Sequence, residues 1–364
     1  MSVKNLKDLP KAHLHLHLEG AMRPATLTEF CERYKIKRPS DTRGKQFSNF
    51  VAFNEVYKAA SDSIRTRQDL ARVIQEVAED AAADGATWIE PAFDADRYTI
   101  LRADKSLRLF ETPCEGWLFA LDAARNASEK TGVGIGFISA IDRTRSIEQA
   151  NERAKLTYSL ISSQRHQITA KNINGGEPYR GIVGLGLHGN EEGYPPEIFA
   201  EAFQIVAKKT ETLSIPHAGE IAPTPGKGPE SVEKAIDILG ASRIQHGVLA
   251  IHDEVLMKKI KERNICLDVC PSSNIQLSVF PNIQTHPLPL LIEAGIPCSL
   301  GSDDPLLFGP SLLDEFELCR EQMHFSDDTL AQLARNSFHY SGAPKKIMDQ
   351  GLKDIDAWLR CIRG

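Results

Sequence analysis

Residues 11–20 read KAHLHLHLEG, in which His13, His15 and His17 alternate with Ala12, Leu14, Leu16 and Leu18. Strict alternation is the mark of a β-strand, where residues two apart share a face, so the three imidazoles line one side and the leucines the other. The flanking leucines imply that the strand is buried, and a buried run of imidazoles needs a partner for each ring nitrogen. A metal ion is a natural partner for two histidines spaced H-x-H.

Seven further runs have the same apolar or alternating character: TWIEPAF (87–93), GVGIGFISAI (132–141), GIVGLGLH (181–188), LSIPHAG (213–219), RIQHGV (243–248), NICLDVC (264–270) and IPCSLGSDD (296–304). Near-continuous apolar runs indicate strands covered on both faces. Between them lie stretches with apolar residues three and four apart, clearest at Leu70 to Ala83, Ile198 to Lys208 and Val232 to Leu239. Eight strands alternating with helices imply parallel pairing and a (β/α)8 TIM barrel rather than a doubly wound sheet. No linker or composition shift divides the chain, so residues 1–364 read as one domain. The long insert from Thr26 to Gly85 is expected to place extra helices over the C-terminal mouth of the barrel. Within it Phe47, Phe50, Val51 and Phe53 are candidates for a pocket wall or for ordinary core, and the chain from Ser326 onward reads as closing helices.

A formal charge of -6 argues against nucleic acid or an anionic membrane as the main partner, since both need a dense basic surface. MSVKNLKDLP has no apolar signal-type core, and no run of about 18 apolar residues occurs, so a cytoplasmic enzyme acting on a small molecule is expected. Seven scattered cysteines read as reduced thiols packed as small hydrophobes.

A barrel of this kind builds its active site at the C-terminal ends of its strands. The distinctive polar residues fall there: His15 and His17, His217 with Glu220, His246, and Asp303 with Asp304. His15, His17, His217 and Asp303 would supply three nitrogens and one carboxylate to a Zn²⁺-like ion with room for water. Glu220, three residues after His217, suits a general acid or base, and His246 could hold the attacking hydroxide. Adjacent buried carboxylates at Asp303 and Asp304 imply a cation nearby. Gly184 to Gly189 satisfies G-x-G-x-x-G, but the acidic, proline-broken NEEGYPP that follows is no phosphate-facing helix start, so a tight strand-end turn is the better reading.

Together, PKAHLHLHLEG, HAGE, RIQHGV, CPSSN and LGSDDPLLFG resemble the adenosine deaminase family of the metal-dependent amidohydrolases, over nearly the whole chain. The resemblance implies one zinc ion per chain, held by His15, His17, His217 and Asp303. It implies Glu220 as proton donor to the purine ring, His246 as the group orienting the hydroxide, and Asp303 within the catalytic set. On the substrate side it implies Asp304 at purine N7, Gly189 at N3, and Glu19 at a ribose hydroxyl, with His17 alongside. The implied reaction is hydrolytic deamination of adenosine or a close derivative, a purine nucleoside substrate, with release of ammonia.

Two departures bear on the sugar side. The family's usual D-L-A-G is Gly186-Leu187-His188-Gly189 here, which sets His188 beside the pocket, and T-D-D-P is Ser302-Asp303-Asp304-Pro305. LGSDDPLLFG and GLGL are similar to a branch that includes 6-aminodeoxyfutalosine deaminases, while LEG favours adenosine; adenine and adenosine monophosphate are further alternatives. A two-metal hydrolase on the same barrel would need a bridging lysine, and none is evident in the fourth or fifth strand run. A non-catalytic binding protein on this fold would be expected to lose these residues. His13 lies about 6 to 7 Å deeper along the strand than His15, at roughly 3.3 Å per residue, and is expected to support the site from below without ligating the metal.

Overall fold

A computed structural model describes residues 4–99, 108–171, 181–207, 212–221 and 226–361. Eight strands form one sheet in chain order: β1 (Lys11–His17), β2 (Ala86–Phe93), β3 (Gly134–Asp142), β4 (Gly181–His188), β5 (Leu213–Ala218), β6 (Arg243–His246), β7 (Cys266–Val269) and β8 (Cys298–Leu300). Every neighbouring pair is parallel. The sheet closes just beyond β8, where Leu16 bridges Asp303 in parallel register. This is the (β/α)8 barrel that the alternating runs predict, and each of the eight runs contains or overlaps one strand.

Helices α1 (Pro24–Tyr34), α2 (Phe50–Ser61) and α3 (Arg67–Ala83) follow β1. α3 is the helix expected over 70–83, and it starts with a capping box in which Thr66 accepts from the Asp69 N–H and Asp69 from the Thr66 N–H. The remaining helices are α4 (Pro113–Thr131), α5 (Ile147–Lys171), α6 (Ala200–Ala207), α7 (Lys227–Asp237), α8 (Glu254–Glu262), α9 (Pro271–Gln276) and α10 (Leu288–Glu293). After β8 come α11 (Pro305–Phe308), α12 (Leu312–Gln322), α13 (Asp327–His339) and α14 (Lys345–Arg360). The helix expected over 198–208 is split into a 3₁₀ turn at Pro196–Phe199 and α6, and Lys208 lies outside the described residues. No helix among the described residues is long and apolar enough to cross a membrane.

α2 is the mouth-covering helix expected of the insert. Phe53 and Tyr57 are buried on one of its faces, and Phe53 stacks on Phe308 of α11 at 5.4 Å and 6° between planes. Phe50 and Phe53 line the mouth cavity, Phe47 packs edge-on against Phe53 and Phe308, and Val51 is 58% exposed. The aromatic cluster therefore divides between pocket wall and core, with Val51 in neither. The cysteines are all unpaired, and five of the seven are buried, as small hydrophobes would be.

Candidate active site

The seam that closes the barrel also assembles the site. His17 N–H donates to the Asp303 carbonyl at 3.0 Å and Asp303 N–H to the His15 carbonyl at 3.1 Å. Asp303 Oδ1 is consequently 3.5 Å from His15 Nε2 and 3.3 Å from His17 Nε2, while its Oδ2 accepts from Ser273 Oγ at 2.7 Å. β5 adds His217, whose ring centroid is 4.9 Å from that of His15 and 5.2 Å from that of His17. β6 ends in His246, at 4.4 Å from His15 by the same measure.

The residues present fit a metal ion. His15 Nδ1 bonds the Asp268 carbonyl at 2.8 Å and His217 Nδ1 the Leu187 carbonyl at 3.1 Å. A carbonyl only accepts, so both rings carry their proton on Nδ1 and turn an Nε2 lone pair into the site. Those two Nε2 atoms and that of His246 are buried without a hydrogen-bond partner. One ligand atom each from His15, His217, His246 and Asp303 lies within 4.8 Å of the others, and His17 groups in the same way with Asp303 and Asp304. Burial pushes His217 and His246 well below the ordinary histidine value, which keeps both rings neutral. Burial pushes Asp303 up, but the His15 and His17 rings beside it outweigh that effect and bring its pKa well below the ordinary carboxylate value, so the carboxylate is ionised.

Glu220 lies beyond the end of β5 with Oε1 3.4 Å from His246 Nε2. Burial, followed by the charges of Asp303 and Glu191, raises its pKa well above the usual carboxyl range, so it is held as the acid. Its seat comes from a residue that the sequence reading passed over. Glu191 accepts the consecutive N–H groups of Gly219, Glu220 and Ile221 at 2.9, 3.0 and 2.8 Å, and the Ser231 hydroxyl at 2.8 Å. Buried Arg143 stands 3.7 Å from Glu191 and donates to the His217 carbonyl at 2.5 Å, linking the acid's loop to a ligand's strand. The acidic NEEGYPP segment was the signal available for Glu191.

Asp304 is buried beside Asp303, with Oδ1 unpartnered. Burial, then the Asp303 charge, raises its pKa well above the carboxylate range. Gly20 makes the seat possible, since a Cβ there would lie 1.6 Å from Asp304 Oδ1. Gly189 turns the chain at the end of β4 with φ 95°, where glycine is unstrained.

An open cavity of about 580 Å³ leads to these groups. Its walls include His17, His188, Gly189, His217, Glu220, Asp303 and Asp304, with Phe50, Phe53 and Tyr57 on the α2 side. Asn54, Arg97, Asp142, Thr144 and Asn190 give it further polar groups that the sequence reading had not singled out. The His188 ring lies 5.5 Å from that of His17, and burial pushes its pKa down to about 3. Glu19, expected at a ribose hydroxyl, stands behind the wall: its oxygens accept the hydroxyls of Tyr57 at 3.0 Å and Tyr98 at 2.7 Å. His13 is likewise engaged elsewhere, with Nε2 3.1 Å from both the N–H and the hydroxyl of Ser302, and it joins neither metal-competent group.

Residues 10–358 match the model of the adenosine deaminase family. The chain belongs to the adenosine deaminase family. It is 36% identical to a Streptomyces virginiae protein provisionally named an adenosine/adenine deaminase, with 98% of each sequence covered. Among solved structures, the adenine deaminase of Arthrobacter aurescens is 28% identical, with a TM-score of 0.79 over 97% of this chain and 99% of that one. An amidohydrolase from Burkholderia ambifaria, crystallised with bound zinc, shares the fold at 21% identity and a TM-score of 0.75, covering 99% of this chain and 95% of that one. The chain is thus a hydrolytic aminohydrolase of adenine-type compounds in a metal-dependent family.

Proposed function

We propose that this adenosine deaminase family member removes the 6-amino group of adenosine or a close adenosine derivative by hydrolysis, giving an inosine-type product and ammonia. The observation that carries the reading is the placement of Glu220, an acid held protonated, 3.4 Å from His246 Nε2 on a cavity that also holds His17, His217, Asp303 and Asp304. The three-nitrogen, one-carboxylate set of His15, His17, His217 and Asp303 suits zinc. When bound there, the ion supplies Lewis-acid activation of water near neutral pH.

The chain's own groups account for the rest. Glu220 donates its proton at purine N1, which makes C6 electrophilic and admits addition of water. His246 orients the attacking oxygen, and Asp303 anchors the cation. Asp304, held protonated, donates to N7, while Gly189 meets the N3 edge. Phe50 and Phe53 cover the ring and exclude solvent, and His188 stands beside it.

The polar groups at Asn54, Asp142, Thr144 and Asn190 support a substrate that extends beyond the base. A second reading, free adenine, is supported by the tyrosine hydroxyls that occupy both oxygens of Glu19 and by the adenine deaminase name of the Arthrobacter relative. Ammonia release from the zinc-loaded protein, screened against adenosine, 5′-substituted adenosines including aminodeoxyfutalosine, adenine and adenosine monophosphate, tests both. Turnover of adenosine or a derivative is expected. Turnover of adenine alone selects the second reading, and inertness toward every aminopurine overturns the assignment.

A further inference from the structure

The unpartnered Nε2 atoms of His15, His217 and His246 are alike in burial, yet the opposite nitrogens of their rings are engaged differently. In His15 and His217 that nitrogen faces a carbonyl. In His246, Nδ1 faces Asn274 Nδ2 at 3.2 Å, and Asn274 Oδ1 faces His286 Nε2 at 3.1 Å. The chain ends at the backbone N–H of Leu288, 3.2 Å from His286 Nδ1.

Proton positions follow from that last group, because a backbone N–H can only donate. His286 Nδ1 therefore carries a lone pair. Burial pushes the His286 pKa down to about 3, so the ring is neutral and its single proton sits on Nε2. An Nε2–H requires an acceptor, which identifies the atom of Asn274 facing it as the carbonyl oxygen and settles the amide orientation. The Asn274 NH₂ then donates to His246 Nδ1. A neutral imidazole whose Nδ1 accepts bears its proton on Nε2, and that nitrogen lies 3.4 Å from Glu220 Oε1 and 3.8 Å from Asp303 Oδ2.

We infer that Asn274 and His286 are positioning residues that hold His246 as the Nε2–H tautomer, so that it donates a hydrogen bond into the reaction centre and does not ligate the cation. The inference rests on the proposed deaminase chemistry only for what the donated bond acts upon. It sorts a cluster that distance alone leaves mixed: His15 and His217 offer lone pairs, and His246 offers a proton. It also assigns work to a residue 40 positions downstream of His246. The Leu288 N–H at the end of the relay belongs to the first turn of α10, where helical amides have no partner within the helix.

The test is ¹⁵N NMR of the histidine rings in the metal-loaded protein, with His246 assigned by its loss in the His246→Gln spectrum. A pyridine-type Nδ1 and a pyrrole-type Nε2 are expected; a pyrrole-type Nδ1 overturns the inference. This readout needs no substrate, so it stands apart from success or failure of the ammonia screen. In Asn274→Asp the carboxylate accepts from Nδ1, so that nitrogen becomes pyrrole-type. There kcat should fall about 10- to 100-fold with KM and zinc content unchanged. His286→Gln retains an amide donor for Asn274 and should keep the tautomer and kcat, whereas His286→Phe should lose both. A wild-type tautomer in Asn274→Asp, or equal losses in the two His286 variants, also overturns it.

Discussion

Asp303 and His246 are both non-glycine residues in the left-handed region, at φ 58° and 65°. Such conformations cost about 1–3 kcal/mol each and persist where the surroundings over-determine them. Here the barrel-closing bonds hold Asp303, and the pairing of Ala218 with His246 holds β6. The side chains are thereby aimed before any substrate arrives. Glu220→Gln keeps the seat supplied by Glu191 but has no acidic proton to give. It should retain zinc while kcat drops about 10²- to 10⁴-fold, and near-native steady-state turnover would remove Glu220 from its role. At His13 and His15 the measurement is metal content after dialysis. His15→Ala should lose the ion, whereas His13→Gln, which disturbs the bonds to Ser302 below the site, should retain it. Equal loss in the two variants would make His13 a ligand.

Short α9 carries Ser273, which holds Asp303, and Asn274, which meets His246, so its position matters beyond its length. Its first turn rests on buried Glu315 of α12, whose oxygens accept the Ser272 N–H at 3.3 and 3.4 Å. Burial pushes Glu315 up to about 8 from 4.5. Between those values the folded chain holds a proton that the unfolded chain releases, so stability falls as pH rises through the window. Glu315→Gln is neutral throughout and should show a shallower decline of Tm from the lower to the upper end of the window. Parallel Tm curves for the two proteins would show that Glu315 is not the group responsible.

Across the whole molecule, the site stands on an ionic layer inside the barrel. Fully buried Arg243 of β6 bonds Glu90 of β2 and, at 2.6 Å, Asp268 of β7. Trp88 and Gly342 also donate to Glu90, and Ser299 donates to Asp268 at 2.8 Å. The Asp268 carbonyl is the group that orients His15, so the layer supports a ligand as well as the core. Arg243→Ala strands two carboxylates in a dry interior and should cost about 3–5 kcal/mol in urea unfolding. Arg243→Lys should not restore the loss, because a point charge cannot reproduce the guanidinium fork. Unfolding curves that overlay the wild type would contradict this account of the core.

Much of this was legible in the amino-acid order alone. The alternation at 11–18 and the seven later runs predict eight strands, because a period of two is a property of the local backbone. The strand-end rule then brings His15, His17, His217, Glu220, His246, Asp303 and Asp304 together. What only the tertiary structure decided is which partner each polar atom takes. Glu191 lies 29 residues from Glu220, Tyr57 and Tyr98 reach back to Glu19, and His286 acts on His246 through Asn274. No periodicity encodes these pairings, since a hydrogen bond depends on distances of about 3 Å set by the packing of separate elements. The alternation of KAHLHLHLEG therefore determines which face its histidines share, and the closed barrel determines which of their nitrogens can meet a metal.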